Sequence, residues 1–245
     1  MVKHCITNPI NCSSPYFERG IYLKNPFLSF DNPKPLGAGS YEMALPLVTA
    51  LELKAGMRVL EIGAGTGQVA TILAKYWGVT VITLEPWESL KVIQNFATEH
   101  SVDNSVLAMR VDAKHMPFPD ESFDAVFGIG SFFMIDDREQ ALKEIIRVTR
   151  NNGHIGIAEP MCTTNPIPPE LDKYEIFSSY KKWLRSLKWN CDLFLSQGLS
   201  IRENFYFTEA YQWMIDNFRY YDGEKDFILE DNNRWLSLGL VVGQK

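Results

Sequence analysis

Between residues 56 and 160, short apolar runs alternate with segments of helical periodicity. The apolar runs predict strands at 57–63, 79–85, 106–112, 123–130 and 154–160. In the segment after the first run, Val69, Ile72 and Leu73 recur on one face of a helix. Strands that are apolar throughout are typical of a parallel sheet with helices on both faces. The pattern therefore predicts an α/β fold with an open sheet.

Two flanking zones extend this central region. Residues 1–50 are rich in aromatic residues and proline and end in a short amphipathic segment, whereas residues 161–245 open with the proline-rich break TTNPIPPELDKY and close on the apolar run LSLGLVVG. No long linker and no internal repeat separates the zones. We predict a single domain with an N-terminal cap (1–50), a central core (51–160) and a C-terminal lid with closing strands (161–245).

Composition and charge limit the partners of this domain. Apolar residues make up 46% of the chain and charged residues 22%, as in soluble globular proteins. The formal charge of −6, without a cluster of lysine and arginine, predicts that neither nucleic acid nor an anionic membrane is a partner. The N-terminus lacks the apolar core of a secretory signal, and no apolar run approaches a membrane span. A cytoplasmic protein with a small-molecule partner is the expectation, and the oligomeric state stays open.

The cysteines give no sign of a metal site. Cys5, Cys12, Cys162 and Cys191 are scattered, without a C-x-x-C pair or a histidine at ligand spacing. We expect free thiols in a reducing compartment and no bound metal.

The stretch VLEIGAGTG, residues 59–67, runs from the first predicted strand into a glycine loop. The dinucleotide fingerprint G-x-G-x-x-G would place its third glycine at position 68, which is Gln68. Glu61 stands two residues before the first glycine, where a carboxylate would repel a pyrophosphate and attract a cationic amino group. The loop therefore favours a cationic ligand over a dinucleotide.

The ends of the next two strands complete a nucleoside site. Glu85 ends the second strand, in the position that binds both ribose hydroxyls in related folds. Trp87 can lie against a purine ring, and Asp112, at the end of the third strand, can accept the adenine amino group. A nucleoside with an amino-acid tail and no phosphate meets these demands. S-adenosylmethionine (SAM) is such a ligand.

Residues 57–160 resemble the class I SAM-dependent methyltransferases of the type 11 group, many of which methylate small molecules. The resemblance is carried by EIGAGTG, by the strand ending at Glu85, by VDAKHMPFPDESFDAVF and by the strand after NNGH. It implies a Rossmann-like, mostly parallel sheet of seven strands in the order 3-2-1-4-5-7-6, with helices on both faces. The antiparallel seventh strand would come from about residues 235–243.

The same resemblance implies a role for each candidate cofactor-binding residue. The methionine part would be held by Glu61, Gly63, Ala64, Gly65 and Gly67. The ribose would bind Glu85, and the adenine would contact Pro86, Trp87, Asp112 and Ala113. Gly128, at the end of strand four, would border the methionine carboxylate, and Tyr41 would close over the methyl group. S-adenosylhomocysteine (SAH) would be the product.

Methyl transfer is an in-line displacement, so the protein mainly aligns donor and nucleophile and excludes water. An acceptor that must lose a proton needs a base, and Glu159 is the first candidate because it ends the fifth strand, facing the predicted cleft. His115 and His154 are more consistent with structural roles. In the cap, Tyr16, Tyr22, Phe27 and Phe30 are expected to pack on the sheet. A periodic segment over residues 171–187 predicts a lid helix.

The predicted function is transfer of a methyl group from SAM to a small molecule, with the nucleophilic atom (N, O, S or C) open. One alternative is a non-catalytic SAM-binding or regulatory protein. Another, a nucleotide-dependent oxidoreductase, is disfavoured by Gln68 and Glu61. The segment GIGSFFMID lacks the histidine that several phosphoethanolamine-methylating relatives carry after strand four, which argues against a phosphobase acceptor.

Overall fold

The computed structural model describes residues 25–29, 36–219 and 224–245. Tyr16, Tyr22 and Phe30, predicted to pack in the cap, lie outside these ranges, as do Cys5 and Cys12. Phe27 is described and is fully buried, with its ring 5.4 Å from that of Trp77. This part of the cap therefore packs on the core as expected.

One sheet organises the described residues. Its strands are β1 Arg58–Ile62, β2 Thr80–Leu84, β3 Val106–Met109, β4 Phe123–Ile129, β5 Thr149–Cys162, β6 Ser200–Tyr206 and β7 Leu236–Gln244. They lie in the order β3-β2-β1-β4-β5-β7-β6, and β7 runs antiparallel to both of its neighbours. The predicted Rossmann-like sheet and its strand order are confirmed.

The helices cover both faces of the sheet. They are α1 Pro26–Ser29, α2 Ala44–Ala50, α3 Gln68–Trp77, α4 Leu90–Glu99, α5 Arg138–Val148, α6 Glu175–Trp183, α7 Leu187–Ser196, α8 Ala210–Asp216 and α9 Lys225–Asp231. Within β1, Val59 belongs to the core on one face, with α2 and α3, and Leu60 to the core on the other face, with α5. Each fully buried side chain of this kind contributes roughly 1.5–3 kcal/mol. The continuous apolar character of the strands thus follows from two-sided burial.

Strand β5 begins earlier than its apolar run predicts. It starts at Thr149 rather than at residue 154, because Thr149 pairs with Phe123 before an irregularity shifts the register to His154 opposite Ala125. Gly153 sits in this irregularity, where an added Cβ would lie 2.8 Å from the Asp124 carbonyl oxygen. Polar residues 150–152 therefore belong to a strand because of pairing that apolar periodicity does not reveal.

The lid segment predicted as helical over residues 171–187 is divided in the structure. A 3-10 turn, Pro169–Lys173, precedes α6, and the chain then breaks at Leu184, whose backbone is extended. The Ser186 side chain accepts a hydrogen bond from the Trp189 N–H and starts α7. The side-chain period continues through the break, which is why periodicity alone missed it.

The lid has its own apolar centre, which we call the lid cluster. Its buried members are Leu171, Phe177, Leu184, Met214, Phe227, Ile228, Trp235 and Leu236. Phe133 and several tyrosines pack at its edge. The cluster lies next to the start of β7 and beside the turn that follows β4. Within the described ranges, no helix combines the length and apolar character needed to cross a bilayer.

A buried carboxylate anchors the lid to the sheet, and its removal tests this part of the fold. Asp231 is 1% exposed and accepts hydrogen bonds from the N–H groups of Trp235 (3.0 Å) and Leu236 (3.1 Å). We expect Asp231→Ala to lower the free energy of unfolding by roughly 2–3 kcal/mol, because two buried donors lose their acceptor. Chemical denaturation followed by tryptophan fluorescence measures this change.

Asp192→Ala is the matched control. Asp192 forms an exposed pair with Lys188 at 2.6 Å, and such pairs contribute less than about 1 kcal/mol. Equal losses of stability in the two variants would contradict the anchoring role of Asp231.

Candidate cofactor and substrate site

The loop after β1 has a backbone that requires glycine. Gly63, Gly65 and Gly67 have φ values of 74°, 54° and 89°, which side-chain-bearing residues rarely adopt. An added Cβ at Gly65 would lie 2.6 Å from Leu36 Cδ1, and one at Gly67 would lie 2.7 Å from Ile93 Cγ2. Gly67 is therefore needed both for its backbone conformation and for close approach to the buried Ile93, whereas at Gly65 the added Cβ would displace the exposed Leu36 side chain.

Glu61 is a buried carboxyl group at the base of this loop. It is 2% exposed, and its Oε2 atom has no hydrogen-bond partner among the described residues. Burial raises the pKa of Glu61 to about 8, and the nearby Glu85 carboxylate contributes to the rise. A buried polar atom without a partner costs free energy, and a cationic or donor group of a ligand would remove that cost.

Glu85 fastens the glycine loop to the end of β2. Its Oε2 accepts a hydrogen bond from the Gly65 N–H at 2.8 Å, and its Oε1 accepts from the N–H groups of Trp87 (2.7 Å) and Glu88 (3.0 Å). The side chain is 2% exposed. Ribose hydroxyls at this position would share oxygens that already order two loops.

Two of the residues predicted to contact adenine are more exposed than Glu61 and Glu85. The Trp87 side chain is 69% exposed, and the Asp112 side chain is 56% exposed and accepts a hydrogen bond from the Lys114 N–H at 2.9 Å. Ala113 is buried beside them. Arg110, which the sequence did not single out, donates to the carbonyl oxygens of Pro86 and Glu88 and braces the loop that carries Trp87.

Ser131 connects the glycine loop to β4. Its hydroxyl donates to the Ile62 carbonyl oxygen, and added Cβ atoms at Gly63 and Gly128 would lie 2.5 Å from Ser131 Cβ and 2.8 Å from Ser131 Oγ. Gly128 is buried within β4, between Ile62 and Ile157 of the neighbouring strands. Gly128 therefore lies directly behind the predicted methionine site, with Ser131 packed between the two loops. A serine immediately after GIG was the only sequence signal for this role.

Residues 36–41 lie between the glycine loop and the lid. Leu36 packs over Gly65, and an added Cβ at Gly39 would lie 2.5 Å from Leu238 Cδ1 and 3.3 Å from Trp213. Tyr41 is half-buried and packs against the core. These contacts place Leu36 beside the glycine loop and Gly39 beside β7 and α8, and the role of Tyr41 at the methyl group stays a prediction.

The sequence predicted that Glu159 faces the cleft, whereas the structure buries its side chain. It is fully buried, its Oε2 accepts a hydrogen bond from the Phe133 N–H at 2.8 Å, and its Oε1 has no partner among the described residues. Burial raises the pKa of Glu159 to about 8, against the opposing effect of the Phe133 N–H and Arg138. Its role as a general base stays a prediction.

Taken together, the residues around the loop fit SAM. The unpartnered Glu61 oxygen, the glycine cradle and the exposed Trp87 lie around the carboxyl ends of β1 and β2, where open sheets bind ligands. In the described ranges, no three His, Cys, Asp or Glu side chains are placed to hold a metal. Cys162 and Cys191 are free thiols.

Comparison with known proteins agrees with this geometry. The family model described as "Methyltransferase domain" matches residues 60–157. Methyltransferase GfsG of Streptomyces halstedii is 32% identical over 126 residues, which are 51% of this chain and 45% of that protein. Demethylmenaquinone methyltransferase of Lactobacillus johnsonii is 35% identical over 123 residues, 48% of this chain and 49% of that protein. The chain spans about half the length of these curated relatives.

A solved structure extends the fold comparison to most of the chain. Geranyl diphosphate C-methyltransferase from Streptomyces coelicolor, in complex with Mg²⁺, geranyl diphosphate and SAH, has a TM-score of 0.71 and 15% identity, covering 83% of this chain and 77% of that one. At this identity the likeness concerns the fold. The methyltransferase-domain model thus matches the segment that contains the glycine loop, and the solved structure extends the likeness in fold beyond that segment.

Proposed function

We propose that the whole chain transfers a methyl group from SAM to a small-molecule acceptor. The observation that carries this proposal is the buried oxygen of Glu61, which has no partner among the described residues, beneath a loop whose three glycines all have positive φ. SAM supplies an electrophilic methyl group on a sulfonium. The chain's own residues bind and orient this donor: Glu61 and the glycines toward the amino-acid tail, Glu85 toward the ribose and Trp87 toward the adenine.

The acceptor side is built mainly by the lid. The lid cluster contains Phe177, Phe227 and Trp235, and Phe133 joins it from the turn after β4. The first three of these aromatic side chains are almost fully buried and pack on one another, so they stiffen a lid that would exclude water from a displacement reaction. The names of the relatives, a demethylmenaquinone and a geranyl diphosphate methyltransferase, support an acceptor with an apolar body. The proposal leaves the nucleophilic atom, N, O, S or C, open.

We also propose a domain organisation and a cellular location. Residues 1–50, 51–160 and 161–245 act as the cap, SAM-binding core and lid of one domain. The free thiols Cys162 and Cys191 and the acidic charge support a cytoplasmic location without a nucleic-acid partner. The alternative of a non-catalytic SAM-binding protein finds no specific support in the site, and the first experiment below decides between the two.

Methyl transfer is tested with radiolabelled SAM and a panel of acceptors in which a reduced demethylated quinone, a prenyl diphosphate, a phenol and an amine represent the acceptor classes. We expect SAH to form in proportion to methylated product with an apolar acceptor, and SAH binding by calorimetry without any acceptor. Binding without turnover across the panel would favour the non-catalytic alternative. Absence of both would contradict the proposal.

Gly65→Ala tests the glycine cradle. The added Cβ would overlap Leu36 and enter the loop that faces the cofactor, so we expect the dissociation constant for SAH to rise at least about tenfold, or 1.4 kcal/mol. Gly56→Ala is the matched control: Gly56 also has a positive φ, of 85°, but nothing lies within 4 Å of an added Cβ there. It carries a similar backbone strain and should leave the affinity for SAH unchanged. An equal loss of affinity in both variants would contradict the cradle.

The pKa of Glu61 predicts proton release on binding. With a pKa of about 8 the carboxyl is mostly protonated at pH 7, and the ammonium group of SAH favours its ionised form. Binding at pH 7 should therefore release up to one proton, and affinity should increase as pH rises from 6 to 8. Calorimetry in two buffers of different ionisation enthalpy measures the proton count. Glu61→Gln should bind more weakly and release almost none; unchanged proton release in this variant would exclude Glu61 as the source.

A further inference from the structure

The turn after β4 stands between the cofactor loop and the lid. We call residues 131–135 the β4 turn; its centre, Phe132–Met134, is a 3-10 helix. Its first residue, Ser131, donates to the Ile62 carbonyl oxygen and packs against Gly63 and Gly128. Two residues later, Phe133 packs against the lid cluster. A displacement of this short turn would therefore change its contacts with both the cofactor loop and the lid.

Glu159 holds the middle of the β4 turn from behind. Its Oε2 accepts the Phe133 N–H at 2.8 Å, and its side chain is fully buried. The carboxylate lies on the face of β5 that also carries Ile157 and Met161, which belong to the core beside α5. The Phe133 backbone therefore covers one oxygen of a carboxylate that has no exposed surface.

Arg138 holds the end of the same turn and continues to the lid. It begins α5, is 6% exposed, and donates from Nε to the Ile135 carbonyl oxygen at 3.4 Å. Its Nη2 donates to the carbonyl oxygen of Trp183, the last residue of α6, and its guanidinium lies 5.1 Å from the centre of the Trp189 ring in α7. One side chain therefore links the β4 turn to the junction between the two lid helices.

The pair is electrostatically coupled. The Glu159 carboxylate favours the charged form of Arg138, whose pKa burial lowers, and Arg138 favours the ionised form of Glu159. Each side chain also keeps one buried atom without a partner among the described residues, Glu159 Oε1 and Arg138 Nη1. Buried polar groups of this kind are costly, and two of them around one five-residue turn indicate a requirement other than stability.

We propose that Glu159 and Arg138 are positioning residues, which hold the β4 turn so that the cofactor loop and the lid keep a fixed relation during methyl transfer. This inference rests on the proposed function. In this role the Glu159 carboxylate acts through Phe133 and touches neither substrate, so it is not the general base. The N–H of Phe133 needs an acceptor oxygen, which a neutral amide also provides. The negative charge itself is dispensable.

The proposal is tested by comparing Glu159→Gln with Glu159→Ala in the full chain. Glutamine can still accept the Phe133 N–H, whereas alanine cannot. In ligand-free protein we expect amide hydrogen exchange in residues 131–135 to be at least about tenfold faster in Glu159→Ala and close to wild type in Glu159→Gln. Glu203→Ala, on the exposed edge strand β6, is the matched control and should leave this exchange unchanged. If the β4 turn is equally protected from hydrogen exchange in all variants, the proposal is overturned.

A merely structural role would not predict the coupling between the two sides. In wild type, SAH binding should slow exchange at residues 183–187, the junction of α6 and α7. Glu159→Ala and Arg138→Met should abolish this response and raise the dissociation constant for SAH about fivefold, while Glu159→Gln should restore both. Wild type that binds SAH without protecting residues 183–187 would overturn the positioning role and leave the proposed function intact. Failure of wild type to bind SAH at all would instead contradict the proposed function.

Turnover separates positioning from base catalysis once an acceptor is identified. Glu159→Gln should keep kcat within about fivefold of wild type and keep the same dependence of kcat on pH. Loss of the general base would lower kcat by about 10²–10⁴-fold and remove one limb of the pH profile. The latter result, in a variant whose β4 turn stays protected, would overturn the proposal.

Discussion

The hydrogen bond from the Gly65 N–H to the Glu85 carboxylate is the contact on which the site depends. It joins the loop after β1 to the end of β2 across 20 positions of sequence, and the same carboxylate orders the backbone at Trp87 and Glu88. The parallel register of the two strands brings their carboxyl ends side by side. One carboxylate therefore holds the backbone of the glycine loop and of the segment that carries Trp87.

Around this junction the protein buries carboxyl groups that the fold alone does not need. Glu61 and Glu159 are each raised to a pKa of about 8 by burial, and each keeps an oxygen without a partner among the described residues. Raised pKa values mean that stability falls as pH rises from about 4.5 to about 8, because the unfolded chain loses these protons first. The free-energy costs of burying Glu61 and Glu159 have different origins. Glu61 lies buried at the base of the glycine loop, where a cationic ligand would offset the cost, whereas Glu159 supports the β4 turn.

Both groups belong to one structural theme, in which side chains from the sheet hold loops at its carboxyl edge. Ser131 joins the β4 turn to β1, Arg110 braces the loop after β2, and Arg138 continues from the β4 turn to the lid. Sites on such braced loops keep donor and acceptor in alignment better than mobile loops do.

The core of the fold and the positions of the glycine loop and of the carboxyl groups beside it were readable from local patterns. Parallel strands buried on two faces must be apolar throughout, a loop with positive φ values must be rich in glycine, and the acidic residues end the strands that carry them. Position in the chain was therefore enough to place Glu61 and Glu85. The roles of Ser131, Arg110 and Arg138 could not be read in this way, since each acts through partners distant in sequence, such as Ile62 for Ser131 and Trp183 for Arg138.

Glu159 is a residue whose position could be predicted from the sequence but whose contacts could not. Its place at the carboxyl end of a central strand followed from the alternation of strands and helices, but which groups surround it depended on how the β4 turn folds back over β5. The break between α6 and α7 and the early start of β5 have the same origin, because pairing and capping there override a side-chain period that continues unchanged. Periodicity specifies which face of a helix or strand is buried. Only the packing of the whole chain decides which residues that face contacts, because contacts between distant segments do not change the local sequence pattern.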